Sequence, residues 1–334
     1  MTGRIRFKEG AFRQWVLPSG EMKRRILPPA VGLVYIAVIG LLGGLRSDHV
    51  LIGLLGFLDA YNFKTRKFLR DFFPFILTGA IFDSMRYFYW AGITGRVHVA
   101  GPYFFEKQWF GVAGQTLNEW FAVHHWAGLD LACGFAYLVY VGEYLALAML
   151  FFFTGREKPL RILALSFLIV NVLGFITYFV FPAAPPWYVA QYGLGPARLD
   201  IIPAAAAAVR FDQLLGAHLF EQMYGRGVDV YGAYPSLHVA YPFIVFVMTL
   251  REQSVRWARA PAFGFFLLMC LSAVYLQHHY VTDAVLGVAY ASVTLWLATQ
   301  WSALRASSAH SFESGSLVAP PPAASASASR SASV

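Results

Sequence analysis

Two short groups of residues hold most of the chemistry this chain can offer: Tyr234-Pro235-Ser236-Leu237-His238 and His279-Tyr280-Val281-Thr282-Asp283. Each lies where a long apolar run meets a polar segment, and together they supply two histidines and one carboxylate. A neutral imidazole can attack phosphorus or relay a proton near neutral pH. Asp283 follows His279 by four residues, so on a helix it shares that face and can fix the ring's tautomer. The adjacent His278 cannot point along the same face, so the spacing selects His279. These parts suit phosphoryl transfer through a phosphohistidine.

The elements that position them lie in a membrane. The chain is 58% hydrophobic and 13% charged, with a mean hydropathy of +0.53, far from a soluble domain's average. Aromatics at 17% fit helices anchored by rings at the lipid–water boundary. Cys133 and Cys270 fall inside apolar runs and read as packing residues, not as a disulfide framework or metal motif. The net charge of +8 does not mark a nucleic-acid binder, because the basic residues are not gathered on one soluble face.

Apolar runs near 27–45, 72–92, 129–153, 161–181, 261–277 and 281–301 have about the length of a spanning helix, roughly 20 residues. The shorter runs 49–61, interrupted by Asp59, and 237–250 bring the expected spans to eight. The fold class is therefore all-α and polytopic. A basic N-terminus over 1–26 precedes a single transmembrane catalytic domain over 27–305, and the first run reads as a retained helix. Residues 306–334, rich in Ser, Ala and Pro, form a tail expected to be disordered.

With the N-terminus in the cytoplasm and every run crossing once, both termini are cytoplasmic. Basic residues then sort by side. Arg4, Arg6, Lys8, Arg13, Lys23, Arg24, Arg25, Lys64, Arg66, Lys67 and Arg70 fall inside, as do Arg156, Lys158, Arg161, Arg251, Arg256, Arg259, Arg305 and Arg330. That is 19 of 26, the bias that sets topology. The same arrangement puts Phe181-Pro182, His238 and His279 at exterior helix ends, although nothing in the charge count required it. Ordinary helix ends would divide between the two faces, whereas a shared site collects them on one.

Two exterior segments remain. Residues 94–127, with Trp109, Trp120, Phe121 and Trp126, read as an interfacial re-entry on the lipid surface. Residues 182–234 include an amphipathic stretch from Phe211 to Tyr224, expected as one surface helix. His124, His125 and Asp130 match no strong metal-ligand spacing and read as interfacial. Arg86 sits toward the exterior within its span, one turn after Asp83. Ionisable groups at that depth are costly and usually functional. Arg86 either pairs with Asp83 or reaches a substrate phosphate.

Pro235-Ser236-Leu237-His238 followed by His279-Tyr280-Val281-Thr282-Asp283 resembles the second and third motifs of the type 2 phosphatidic acid phosphatase superfamily. Phe181-Pro182-Ala183-Ala184-Pro185-Pro186-Trp187-Tyr188 is similar to the first motif of its inositol phosphorylceramide synthase branch, and Asp71-Phe72-Phe73-Pro74 with Arg86 resembles that branch less specifically. The resemblance spans roughly residues 70–300. It implies a six-helix core, no metal and no cofactor. It also implies His279 as nucleophile, Asp283 as its orienting partner and His238 as the acid on the leaving alkoxide. Phosphatases of the superfamily carry basic residues in motif one and a Ser-Arg pair before motif three. Here motif one has none and the pair is Ser272-Ala273, as in the synthase branch.

The resemblance thus implies a membrane lipid phosphotransferase, in an inner or plasma membrane, with its site on the exterior face. It would move phosphoinositol from phosphatidylinositol to a ceramide-like acceptor. Candidate substrate contacts are Arg86, Pro185, Pro186, Tyr188, Ser236 and Tyr280. Ser236 has an equal claim as a helix cap, and the paired prolines also shape the backbone. A lipid or polyprenyl phosphate phosphatase is the rival enzyme, disfavoured by the missing basic residues. A transporter or scaffold would need intramembrane charges spread through depth.

Overall fold

The structure, a computed structural model, describes residues 19–42, 47–61, 63–225, 227 and 229–315. The expectations for residues 1–18 and 316–334 lie outside these. The first helices are α1 (Ser19–Leu41), α2 (Ser47–Tyr61), α3 (Phe63–Ser84) and the short α4 (Tyr89–Ile93). Two caps follow, α5 (Ala100–Phe110) and α6 (Leu117–Val123), then the long α7 (Ala127–Phe153) and α8 (Glu157–Val180). Short helices α9 (Pro186–Tyr192), α10 (Val209–Leu215) and α11 (Leu219–Tyr224) lead to α12 (Leu237–Arg251), α13 (Arg259–Tyr275) and α14 (Val281–Gly315).

Each expected span falls on a helix, and the protein is an all-α polytopic membrane protein. Among the described residues, four segments are long and apolar enough to cross a bilayer by themselves: Ala127–Phe153, Glu157–Val180, Gln253–Tyr275 and Val281–Leu304. Arg25–Leu41, His49–Leu58 and Leu237–Arg251 are shorter apolar helices. Helix α12 is the hub, packing on α7, α8, α13 and α14, while α3 closes the bundle against α8 and carries the α1–α2 hairpin. Lipid tails are as apolar as leucine, so such helices associate through close packing and polar ties. The core around Phe72, Tyr144, Phe151, Phe167, Tyr241 and Ile244 supplies the packing. Outward-facing Phe135, Val285, Val293 and Trp296 are exposed to what must be lipid.

The structure corrects four expectations. The third span does not run unbroken to 92: α3 stops at Ser84, and Met85–Tyr87 form a single 3-10 turn before α4. Ser84 and Arg86 explain the stop, since their side chains take the carbonyls of Ala80 and Asp83. The stretch from Phe211 to Tyr224 is two helices, broken where Gly216 adopts a left-handed φ of 62°. Segment 94–127 does not simply lie on lipid, for Glu106 and Asn118 are buried against the start of α14. Finally, α14 continues past 305 to Gly315, because Gly315 is the first glycine or proline after Gly287.

Candidate active site

The motifs converge at one end of the bundle. Helix α8 ends at motif one, whose extended backbone is clasped on both sides: His98 N–H donates to Pro182 O (2.8 Å), and Ala183 N–H to Tyr231 O (2.9 Å). Motif two opens α12. The Ser236 hydroxyl accepts from the Val239 amide at 3.4 Å, making Ser236 the N-cap. Motif three is a tight connection from α13 into α14, with Gln277 at a left-handed φ of 65°. Asn118 of α6 holds this loop by donating to the carbonyls of Val274 and His279, at 2.8 and 2.9 Å. Glu106 of α5 caps α14, accepting from the amides of Val281 and Thr282 and from the Thr282 hydroxyl.

His238, His279 and Asp283 come together inside this frame. His279 Nδ1 lies 3.0 Å from the Ala233 carbonyl and 3.3 Å from Asp283 Oδ2. Both partners accept, so Nδ1 carries the proton and Nε2 presents a lone pair. Nε2 in turn lies 3.0 Å from His238 Nδ1, which must therefore be the donor of that hydrogen bond. One ring thus offers a nucleophilic nitrogen, and the other aims an N–H at the same point. Asp283 is fully buried and held by the Tyr280 amide at 2.9 Å.

An aromatic column fixes the histidines. His238 stacks on Tyr137 at 4.4 Å, with Tyr140 at 4.7 Å. His278 lies between Tyr137 and Tyr224, at 5.3 and 4.5 Å. Burial there, with His279 next to it, holds the His278 ring down at about 3 against a carbonyl contact from Ala205, so it is neutral at physiological pH. His278 is a stacked wall of the site, and only His279 meets Asp283.

A cavity of about 590 Å³ opens onto His238, His278 and His279. Phe75, Thr78 and Phe82 of α3, Tyr140 and Leu145 of α7, and Phe167 and Asn171 of α8 line its deeper part. Near the head it is lined by Pro185, Trp187, Tyr224, Asp229 and Gly232, and desolvation pushes the Asp229 carboxyl up to about 7. Among the described lining residues there is no lysine or arginine. Of the expected substrate contacts only Pro185 lines this cavity. Pro186 and Tyr280 face a separate small cavity of about 90 Å³. Tyr188 is buried, its hydroxyl accepting from the Arg198 amide at 2.9 Å.

Arg86 does not line the cavity either: its guanidinium is bonded to Asp83, which also meets His49 of α2. Of the other arginines that the charge count puts on the side of the site, Arg198 pairs with Asp200 and Arg210 with Asp130, Arg96 is exposed and absent from the cavity lining, and Arg46 and Arg226 lie outside the described residues. The Asp83–Arg86 alternative is the one the geometry takes. Sequence reasoning missed Glu106, Asn118, Tyr137, Tyr224 and Asp229. Only Glu106 left a signal, as an isolated acid in an aromatic segment.

Residues 103–297 match the family model described as the PAP2 superfamily, and the chain belongs to that superfamily. It is 35% identical to a phosphoinositol dihydroceramide synthase of Bacteroides thetaiotaomicron, over 78% of this chain and 87% of that protein. It is 30% identical to the inositol phosphorylceramide synthase catalytic subunit of Schizosaccharomyces pombe, over 44% of this chain and 34% of the fungal one. With the inositol phosphorylceramide synthase of Candida albicans it shares 28% identity, over 57% and 40% of the two chains. No solved structure matches the chain significantly.

Proposed function

We propose that this protein transfers phosphoinositol from phosphatidylinositol to the hydroxyl of a ceramide-like lipid, releasing diacylglycerol. The observation that carries the chemistry is the opposed pair: His279 Nε2 and His238 Nδ1, 3.0 Å apart, at a cavity of about 590 Å³. A bacterial relative with 87% of its length aligned bears a phosphoinositol dihydroceramide synthase name, which supports the choice of headgroup and acceptor.

The phosphoryl group enters between the two rings. His279 Nε2 attacks phosphorus, and the bond to the diacylglycerol oxygen breaks. With the phosphate's negative charge beside it, His238 serves as imidazolium and passes its Nδ1 proton to that oxygen. Diacylglycerol leaves, and the acceptor hydroxyl gives its proton back to His238 as its oxygen attacks phosphorus. The P–N bond breaks, and His279 is regenerated. Asp283 and the Ala233 carbonyl hold the Nδ1 proton throughout, offsetting positive charge on the phosphorylated ring.

Apart from His238 in its imidazolium form, the described lining residues offer no cation, so neutral donors must share the phosphate. The first turn of α12 lines the cavity through Leu237 and His238, and a helix N-terminus attracts anions. The apolar walls keep water from replacing the acceptor. The site end faces the exterior and both termini the cytoplasm, as the placement of 19 of the 26 basic residues supports. Residues 27–305 act as one catalytic domain. Incubating purified protein with labelled phosphatidylinositol, with and without ceramide, tests the reading. Labelled inositol phosphorylceramide should form only with ceramide; release of free inositol phosphate at the same rate would favour a phosphatase.

A further inference from the structure

Asp229 is the only Asp or Glu among the described residues lining the main cavity, which include no Lys or Arg. Its carboxylate packs against the backbone of Gly232, where a Cβ would come within 2.3 Å of Oδ2. Among the described residues its carboxyl has no hydrogen-bond partner beyond its own backbone amide. A carboxylate in a pocket that must accept a phosphate is a liability, since like charges repel across a low dielectric. It is tolerable only where it faces something other than the phosphate and receives hydrogen bonds there.

Position narrows what that something is. Asp229 lies four residues before Ala233, whose carbonyl touches His279, so at most about 14 Å of chain separates them. It belongs to the loop that leads to motif two and not to the apolar part walled by Phe75, Leu145 and Phe167. A phosphate held at His279 would bring its alcohol substituent within reach of this loop, and a ring bearing several hydroxyls would present donors to it. Burial pushes this carboxyl up to about 7; in its ionised form it accepts two hydrogen bonds from neighbouring hydroxyls, and such charge-assisted bonds are strong and themselves favour the ionised form.

We propose that Asp229 is a specificity-determining residue that reads the hydroxyls of the donor's polyol headgroup. This rests on the phosphoinositol transfer proposed above. The acceptor lipid also carries hydroxyls, so the test separates the two sources.

Full-length wild type, Asp229→Ala and Asp229→Asn would be assayed in mixed micelles. Donors are phosphatidylinositol and analogues each lacking one ring hydroxyl; acceptors are ceramide and its 3-deoxy analogue. Asp229→Ala should raise the donor KM about 10- to 100-fold, the worth of a hydrogen bond to a charged group, and leave the acceptor KM unchanged. The wild type should penalise loss of at least one particular ring hydroxyl, and Asp229→Ala should be indifferent to it. Asp229→Asn, which keeps one acceptor oxygen, should fall between and confirm that the loop still folds. Equal losses on every donor, unchanged kinetics with phosphatidylinositol, or a penalty that follows the acceptor's hydroxyl would each overturn the proposal while the transfer reaction stands. A wild type that makes no phosphoinositol product would overturn the underlying reading, and this assignment with it.

Discussion

The backbone amide of Ser236 donates to the carbonyl of Asp283 across 3.0 Å, tying the start of the helix that carries His238 to the helix that orients His279. One turn further along α14, Gly287 lies so close to Ser236 that a Cβ would come within 2.4 Å of its carbonyl oxygen. The two histidines therefore owe their spacing to a backbone crossing, and that crossing needs a residue without a side chain.

Gly287→Ala should push α12 and α14 apart at the site. Backbone, unlike the tip of a long side chain, cannot swing aside, so a cost of about 1–3 kcal/mol is expected. Thermal unfolding in detergent should show the loss, and turnover should fall further than stability does. Full activity in this variant would mean that the crossing does not set the histidine spacing.

Asp283→Asn removes the negative charge that holds His279 in its Nδ1–H form and brings an amide N–H that can turn toward Nδ1 in place of an acceptor. The alternative tautomer places the proton on Nε2, where the lone pair is needed. Turnover should drop on the order of 10³-fold or more, by analogy with other misoriented catalytic histidines, with the helical content unchanged by circular dichroism.

His278 makes stability depend on pH. Unfolded, the ring titrates near 6.5; folded, it is held at about 3. Between those values the unfolded chain binds the extra proton, so His278 makes stability rise with pH through this window and level off above it. His278→Phe, which keeps a ring between Tyr137 and Tyr224, should flatten the slope of melting temperature against pH in the acid range. An unchanged slope would assign the acid sensitivity to other groups.

The proposed orientation rests on charge alone and can be checked alone. A cysteine introduced at Gln191 should react with an impermeant reagent in intact cells, and one at Gln253 should be spared. The reverse pattern would place the site in the cytoplasm.

How far the sequence could be read follows from the range of each interaction. His279 and Asp283 were legible because four residues on one chain fix a shared face, and the eight helices because lipid demands long apolar runs. Asp229 and Asn118 were not, and Glu106 showed only as an isolated acid with no partner to read. Glu106 meets Val281 and Asn118 meets His279 across more than 150 positions, and no periodicity encodes such contacts. Arg86 was readable only as two alternatives, since its spacing to Asp83 allows an ion pair without requiring it. Prolines and tyrosines of the motifs drew attention to substrate, yet most hold backbone: Tyr188 is spent on the Arg198 amide.

The central claim is a phosphoinositol group carried on His279, and trapping it is the most direct test. Purified protein would be mixed with phosphatidylinositol tritiated in the inositol ring, without acceptor, quenched in base and digested. The account predicts label on the peptide bearing His279, at Nε2, discharged when ceramide is added before the quench. Label on His278, or turnover with no labelled protein in any rapid-quench time point, would contradict it.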